Sequence, residues 1–171
     1  MRGLLKLSLE QMIQYLNLPK INIAGIRNNL VSTSYNSVIK GYTAYDIDPD
    51  CNIYASISAL FPERFFKEIY KKTLQVMEPE WNGYIHQDPR DYAINYILDT
   101  GDKDVTTSFY DSDKNITSCN IIPFYTWHII HTKTFHAIDN VKTKRAAISL
   151  SLTEPSAELL EWIRSITVNN T

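Results

Sequence analysis

His86 and Asp88 stand two residues apart in the run Tyr84-Ile85-His86-Gln87-Asp88-Pro89-Arg90. In an extended chain, residues i and i+2 project to the same side. An imidazole and a carboxylate placed that way reach one metal ion together, and a third ligand must come from elsewhere. The C-terminal half offers His128, His131 and His136. Two imidazoles and one carboxylate on one face of an octahedron leave three positions open, which is the donor set of non-haem Fe(II) centres that activate O₂.

Two of those positions suit the keto oxygen and neighbouring carboxylate of a 2-oxo acid, and the third suits O₂. Such a co-substrate also has a distal carboxylate, and burying it calls for a cation with a matching fork, which Arg supplies better than Lys. Arg145 lies nine residues beyond His136 and leads into the apolar run 146–150. A short strand, a turn and the start of the next strand fit in that interval, so Arg145 is the candidate. Asn95 sits in an apolar run and needs a hydrogen-bond partner if buried; the co-substrate and the neighbouring backbone both qualify. Ser149 follows Arg145 on the same face of an extended strand. Tyr84 shares a side with His86 and lines a pocket or packs in the core. Arg90 belongs to the pocket mouth or to the surface.

The elements that must position these residues are read from periodicity. Ser8 with Gln11 makes a capping-box pattern for a helix over 8–16, with Pro19 as its stop. Residues 31–39 and 51–60 read as strands. Residues 62–77 read as a helix, with Pro62 in its first turn and Phe65, Ile69, Thr73 and Val76 on one stripe. After Trp81 the texture changes to short strand-like runs at 84–85, 93–98, 105–110, 117–122, 126–130, 135–138 and 145–152. Turn residues separate them at 101–102, 111–114 and 139–140. Regularly spaced short strands predict a sandwich or barrel. A helix over 156–166 closes the chain.

The sequence has 171 residues, a formal net charge of -2 and eleven tyrosines. That length is expected to make one domain over 1–171, with helices and first strands in 1–80, a metal-binding core in 81–152 and a terminal helix and tail in 153–171. No basic stripe is visible, so no nucleic-acid partner is expected. The sequence has no apolar run of membrane-spanning length and no signal-peptide pattern, so a cytoplasmic protein with no membrane partner is expected. Cys51 and Cys119 form no C-x-x-C pair and are expected to be free thiols.

His86-x-Asp88, then His136 forty-eight residues after Asp88, then Arg145, resembles the Fe(II)/2-oxoglutarate-dependent dioxygenases. His136-Ala137-Ile138-Asp139-Asn140 is similar to the H-x-V-x-N stretch around that family's distal histidine. Arg145-Ala146-Ala147-Ile148-Ser149-Leu150 resembles its following R-x-x-h-S-h strand, and 88–98 looks like its run from the HxD motif into an Asn-bearing strand. The short loops resemble the compact prolyl-hydroxylase-like branch. The resemblance covers about 81–152 well and 1–80 weakly.

The resemblance implies a mainly β fold with flanking helices: a double-stranded β-helix, or jelly roll, a cupin-like barrel with the metal near its mouth. It implies Fe(II) on His86, Asp88 and His136, and 2-oxoglutarate paired with Arg145, with Asn95 and Ser149 as further contacts. It implies O₂-dependent decarboxylation of 2-oxoglutarate to succinate and CO₂ coupled to hydroxylation of a peptidyl residue, prolyl foremost, or of a small molecule. The chain departs from the family in lacking an R-x-S pair, and Thr106, Thr107 and Tyr110 stand where a Gly-Gly pair is often found. His131 is five residues from His136, so in one continuous strand the two face opposite ways. His128 lies in an apolar run and reads as a satisfied sheet histidine. The alternative reading is a non-catalytic jelly-roll module that binds a ligand or partner; a full set of ligands plus Arg145 speaks against it. A cupin-like metalloenzyme without a 2-oxo acid is a third possibility, and the carboxylate in His86-x-Asp88 speaks against that.

Overall fold

The computed structural model describes residues 12–21, 35–79, 81 and 83–168. Among these, a seven-stranded antiparallel sheet runs in the order β1 (Ile13–Tyr15), β8 (Trp127–His131), β5 (Tyr92–Thr100), β10 (Arg145–Leu152), β4 (Lys71–Met77), β3 (Tyr42–Asp46), β2 (Tyr35–Ile39). A three-stranded sheet runs β7 (Ile116–Asn120), β6 (Thr106–Tyr110), β9 (Phe135–Asp139). The segment 84–88 adds to its edge through an antiparallel bridge between His86 and His136. From β4 onward the chain winds between the sheets: β4 large, 84–88 small, β5 large, β6 and β7 small, β8 large, β9 small, β10 large. That winding is a double-stranded β-helix. The expected mainly β jelly roll with flanking helices is the fold of this chain.

Alternation along the strands assigns the two faces of the large sheet. On β10, Ile148, Leu150 and Leu152 are fully buried against α1 (Asn52–Ser58), α2 (Glu63–Phe66) and α3 (Ala157–Ser165), through Ile53, Ile57, Phe65, Leu159 and Ile163. Each such side chain contributes about 1.5–3 kcal/mol by leaving water. The other face looks into the barrel, where Ala93, Ile97, Ile130 and Ala147 meet Phe109 and Ile122. Buried Arg145, Ser149 and Ser151 share that inward parity. Polar groups inside a barrel need partners, which marks this face as more than packing.

Three expected elements are corrected. Residues 62–77 do not form one helix: a single turn at Glu63–Phe66 gives way to strand β4, held between β3 and β10. β4 is buried at Thr73, Leu74 and Met77, so its apolar residues follow neither period cleanly and sheet pairing decides. Within the supposed stripe, Phe65 and Ile69 pack on the helix side, whereas the Thr73 hydroxyl donates to the Ser149 carbonyl at 3.4 Å. Residues 51–60 hold helix α1 rather than a strand. The Cys51 Sγ accepts the Tyr54 N–H at 3.4 Å, and Ile53 and Ile57 bury one helical face. The expected helix over 8–16 is strand β1 where it is described; Ser8 and Gln11 lie outside the described residues. The strand expected over 31–39 is seen as Tyr35–Ile39, with 31–34 outside the described residues. The runs after residue 92 and the closing helix fall where expected. No helix among the described residues is long and apolar enough to cross a membrane.

Candidate metal centre

His86 and His136 are hydrogen-bonded partners across the edge of the small sheet. The His86 N–H donates to the His136 carbonyl at 3.0 Å, and the reverse bond measures 2.9 Å. Directly opposed residues of an antiparallel pair project to the same face, and here the two ring centroids are 4.5 Å apart. Asp88 is fixed next to them by its N–H to the Thr132 carbonyl at 2.9 Å. The loop behind is fastened by the Thr132 hydroxyl on the Arg90 carbonyl (2.7 Å) and Lys133 Nζ on the Pro89 carbonyl (2.7 Å).

The close approach depends on Gly83. A Cβ there would overlap the carbonyl oxygen of Ile138 on β9, so only glycine lets the segment entering His86 lie flat on that strand.

One ligand atom from each of His86, Asp88 and His136 lies within 4.8 Å of the others. The tautomers are set by the backbone. His86 Nδ1 faces the Tyr84 carbonyl at 2.9 Å and His136 Nδ1 faces the Thr134 carbonyl at 2.8 Å. A carbonyl only accepts, so both Nδ1 atoms carry hydrogen and both Nε2 atoms are left as donors to a metal. The donor set and its outer hydrogen bonds therefore fit a divalent cation.

Electrostatics agree with this reading. The Asp88 carboxylate, 3.5 Å from His86 Nε2, raises the pKa of His86, and the charge that attracts a proton there equally attracts a cation. Burial opposes ionisation of Asp88, but His86 and Arg90 outweigh it and hold its carboxyl far below the usual range. Burial pushes His136 down, so it is a neutral donor at pH 7.

The three residues form part of the wall of a cavity of about 230 Å³. Arg145, Asn95, Tyr84 and Arg90 line it too. Arg145 is buried, and burial lowers its pKa to about 10, so it remains charged. Its Nη1 lies 3.9 Å from Met77 Sδ, and none of the ion pairs among the described residues includes it. Gly101, at φ +79°, approaches closely from behind: a Cβ there would stand 2.8 Å from the Arg145 Cβ. Asn95 Oδ1 is buried without a hydrogen bond to the described residues. Ser149 is buried on the same sheet face, but its hydroxyl accepts from Arg90 Nη1 at 3.1 Å. Tyr84 is 51% exposed and its ring lies tilted beside His86 with centroids 4.9 Å apart, so it belongs to the rim rather than the core.

Tyr42 and His128 also line the cavity. Tyr42 on β3 is registered opposite Met77, which is registered opposite Arg145. Burial pushes its hydroxyl up to about 12, so it is a neutral donor beside the guanidinium. No motif surrounds Tyr42; only the register across three strands brings it here. His128, read from sequence as a satisfied sheet histidine, faces the cavity opposite Asn95; its Nδ1 has no close hydrogen bond among the described residues, and the Thr126 backbone acts on the ring. Burial, reinforced by Arg145, lowers its pKa to about 3, so it adds no positive charge. His131 is spent elsewhere, its Nδ1 3.1 Å from the Thr134 hydroxyl.

No protein-family model matches the chain, and no curated protein matches it. Solved structures similar to it include two prolyl hydroxylases. One is a prolyl hydroxylase in complex with a hypoxia inducible factor oxygen degradation domain peptide fragment from Trichoplax adhaerens, at 13% identity and a TM-score of 0.49, covering 86% of this chain and 78% of that one. Another is a Pseudomonas putida prolyl-4-hydroxylase, at 12% identity and a TM-score of 0.43, covering 78% of this chain and 80% of that one. Both likenesses are distant.

Proposed function

We propose that this chain is an Fe(II)- and 2-oxoglutarate-dependent dioxygenase that hydroxylates a peptidyl residue, prolyl foremost, or a small molecule. The observation that carries the reading is Arg145: a buried guanidinium in no close ion pair among the described residues, with Asp99 acting on it only at longer range, on the wall of the cavity that also holds the His86, Asp88 and His136 donors. A buried charge without a counter-charge is costly. A dicarboxylate that reaches both the metal and the guanidinium removes that cost.

The residues divide the work. His86 and His136 present Nε2, each ring aimed by its Nδ1 hydrogen bond, and Asp88 presents a carboxylate oxygen. Arg145 pairs with the distal carboxylate of 2-oxoglutarate, and the Tyr42 hydroxyl donates to the same group. Asn95 and His128 offer unspent polar atoms on the same wall. Ala147, Ile130 and Ile138 supply apolar surface that keeps water from the co-substrate chain. Bound iron, 2-oxoglutarate and O₂ supply the oxidising chemistry, with succinate and CO₂ as the co-products. Substrate enters past Tyr84, where the His86 edge of the cluster remains partly exposed.

The test is succinate formation from 2-oxoglutarate with and without Fe(II). Wild type forms succinate only with Fe(II), His136→Ala forms none, and Arg145→Ala raises the 2-oxoglutarate requirement at least about tenfold while still binding metal. Succinate at the His136→Ala level in wild type would overturn the reading in favour of a binding module.

A further inference from the structure

We infer that Arg90 is a positioning residue for Asp88, holding one carboxylate oxygen so that the other is left to the metal. The inference rests on the metal-site reading above. Arg90 Nε and Nη2 lie 2.8 and 2.7 Å from the same atom, Asp88 Oδ2. Its Nη1 donates to the Ser149 hydroxyl at 3.1 Å and to the Ser151 hydroxyl at 2.7 Å. Asp88 Oδ1 is the oxygen that faces the His86 ring.

Each end of this arrangement is fixed. Ser149 and Ser151 are buried at successive inward positions of β10, the second strand of the large sheet to flank β5, and β10 is hydrogen-bonded on both sides. The Arg90 main chain is held by the Thr132 hydroxyl. A carboxylate on a loop has a free side-chain rotation and two equivalent oxygens. The guanidinium removes that freedom by occupying Oδ2 with two donors. The orientation of a ligand on one sheet is thereby set by two hydroxyls on the other.

Orientation and charge make opposite predictions. As a nearby positive charge, Arg90 weakens the attraction of Asp88 for a cation. As an orienting partner, it strengthens binding, and loss of such partners typically costs 10–100-fold in metal affinity. The double hydroxyl anchor, which a mere counter-charge does not need, favours orientation.

The experiment is calorimetric titration of Mn(II) into wild type, Arg90→Ala, Arg90→Lys, the double variant Ser149→Ala/Ser151→Ala, and His136→Ala, with the Co(II) visible spectrum recorded for each. Arg90→Ala and Arg90→Lys are expected to bind Mn(II) about 10–100-fold more weakly, with an altered Co(II) band shape. Lys keeps the charge but not the fork. The serine double variant, which keeps Arg90 itself, is expected to lose about 3–10-fold, and it decides the matter if the Arg90 variants unfold. Affinity equal to or tighter than wild type in Arg90→Ala, or in the serine double variant, would overturn the inference. If wild type and His136→Ala bind Mn(II) alike, the metal-site reading itself fails, which is a different result.

Discussion

Arg145 burdens the chain that carries it. Its guanidinium is buried with no carboxylate in close contact among the described residues, and its compensation is the sulfur of Met77, the hydroxyl of Tyr42 and the more distant charge of Asp99. Arg145→Met keeps the length and apolar stem and removes the charge. It is expected to stabilise the protein without ligands by about 1–3 kcal/mol in urea unfolding while abolishing 2-oxoglutarate binding. A loss of stability would mean that the charge is compensated within the fold. Tyr42→Phe is expected to weaken 2-oxoglutarate binding by about 5–10-fold and leave Mn(II) affinity unchanged, since it removes one hydrogen bond to a charged group. At this scale the sequence was informative where chemistry is local. His86-x-Asp88 needs only the parity of an extended chain, and His136 with Arg145 needs only the next hairpin. Tyr42 was invisible because its approach to Arg145 depends on two strand registers and on no neighbour in sequence.

At the scale of elements, the site depends on how closely 84–88 lies against β9. Gly83→Ala is expected to force that segment away from Ile138, lowering Mn(II) affinity at least about tenfold and stability by about 1–3 kcal/mol. Unchanged Mn(II) binding would show that the contact does not position His86. The closing helix is a control remote from the site. The Ser156 hydroxyl accepts the Leu159 N–H at 3.1 Å and donates to Glu68 Oε1 at 2.7 Å. Ser156→Ala is expected to cost about 1–2 kcal/mol and to leave metal affinity alone. The strands after residue 92 were legible because polar turns bound them and they are short. β4 was not, because a strand paired on both sides and buried at Thr73, Leu74 and Met77 imitates the spacing of a helical stripe. At 51–60 the spacing of Ile53 and Ile57 was the helical signal, and Cys51 is an unusual cap that the sequence does not advertise.

Over the whole molecule, the barrel interior divides into an apolar part around Phe109 and Ile122 and a polar part around Arg145, and the cost of the second is visible in acid. His128 titrates near 3 in the folded chain and near 6.5 when unfolded. Between those values the unfolded state binds more protons, so stability rises with pH and is lost as pH falls below about 6.5. Wild type is expected to lose about 1.5 kcal/mol more than His128→Gln between pH 6.5 and 5, measured by urea unfolding at each pH. Equal losses would mean that His128 is not held neutral in the fold. The proposed activity requires that the metal cluster and Arg145 act as the two ends of one site. Calorimetric titration of 2-oxoglutarate into the protein with and without one equivalent of Mn(II) tests this most directly. One binding event that needs Mn(II) is expected in wild type, and it disappears in both His136→Ala and Arg145→Ala. Binding of equal strength without Mn(II), or unaffected by loss of Arg145, would contradict it.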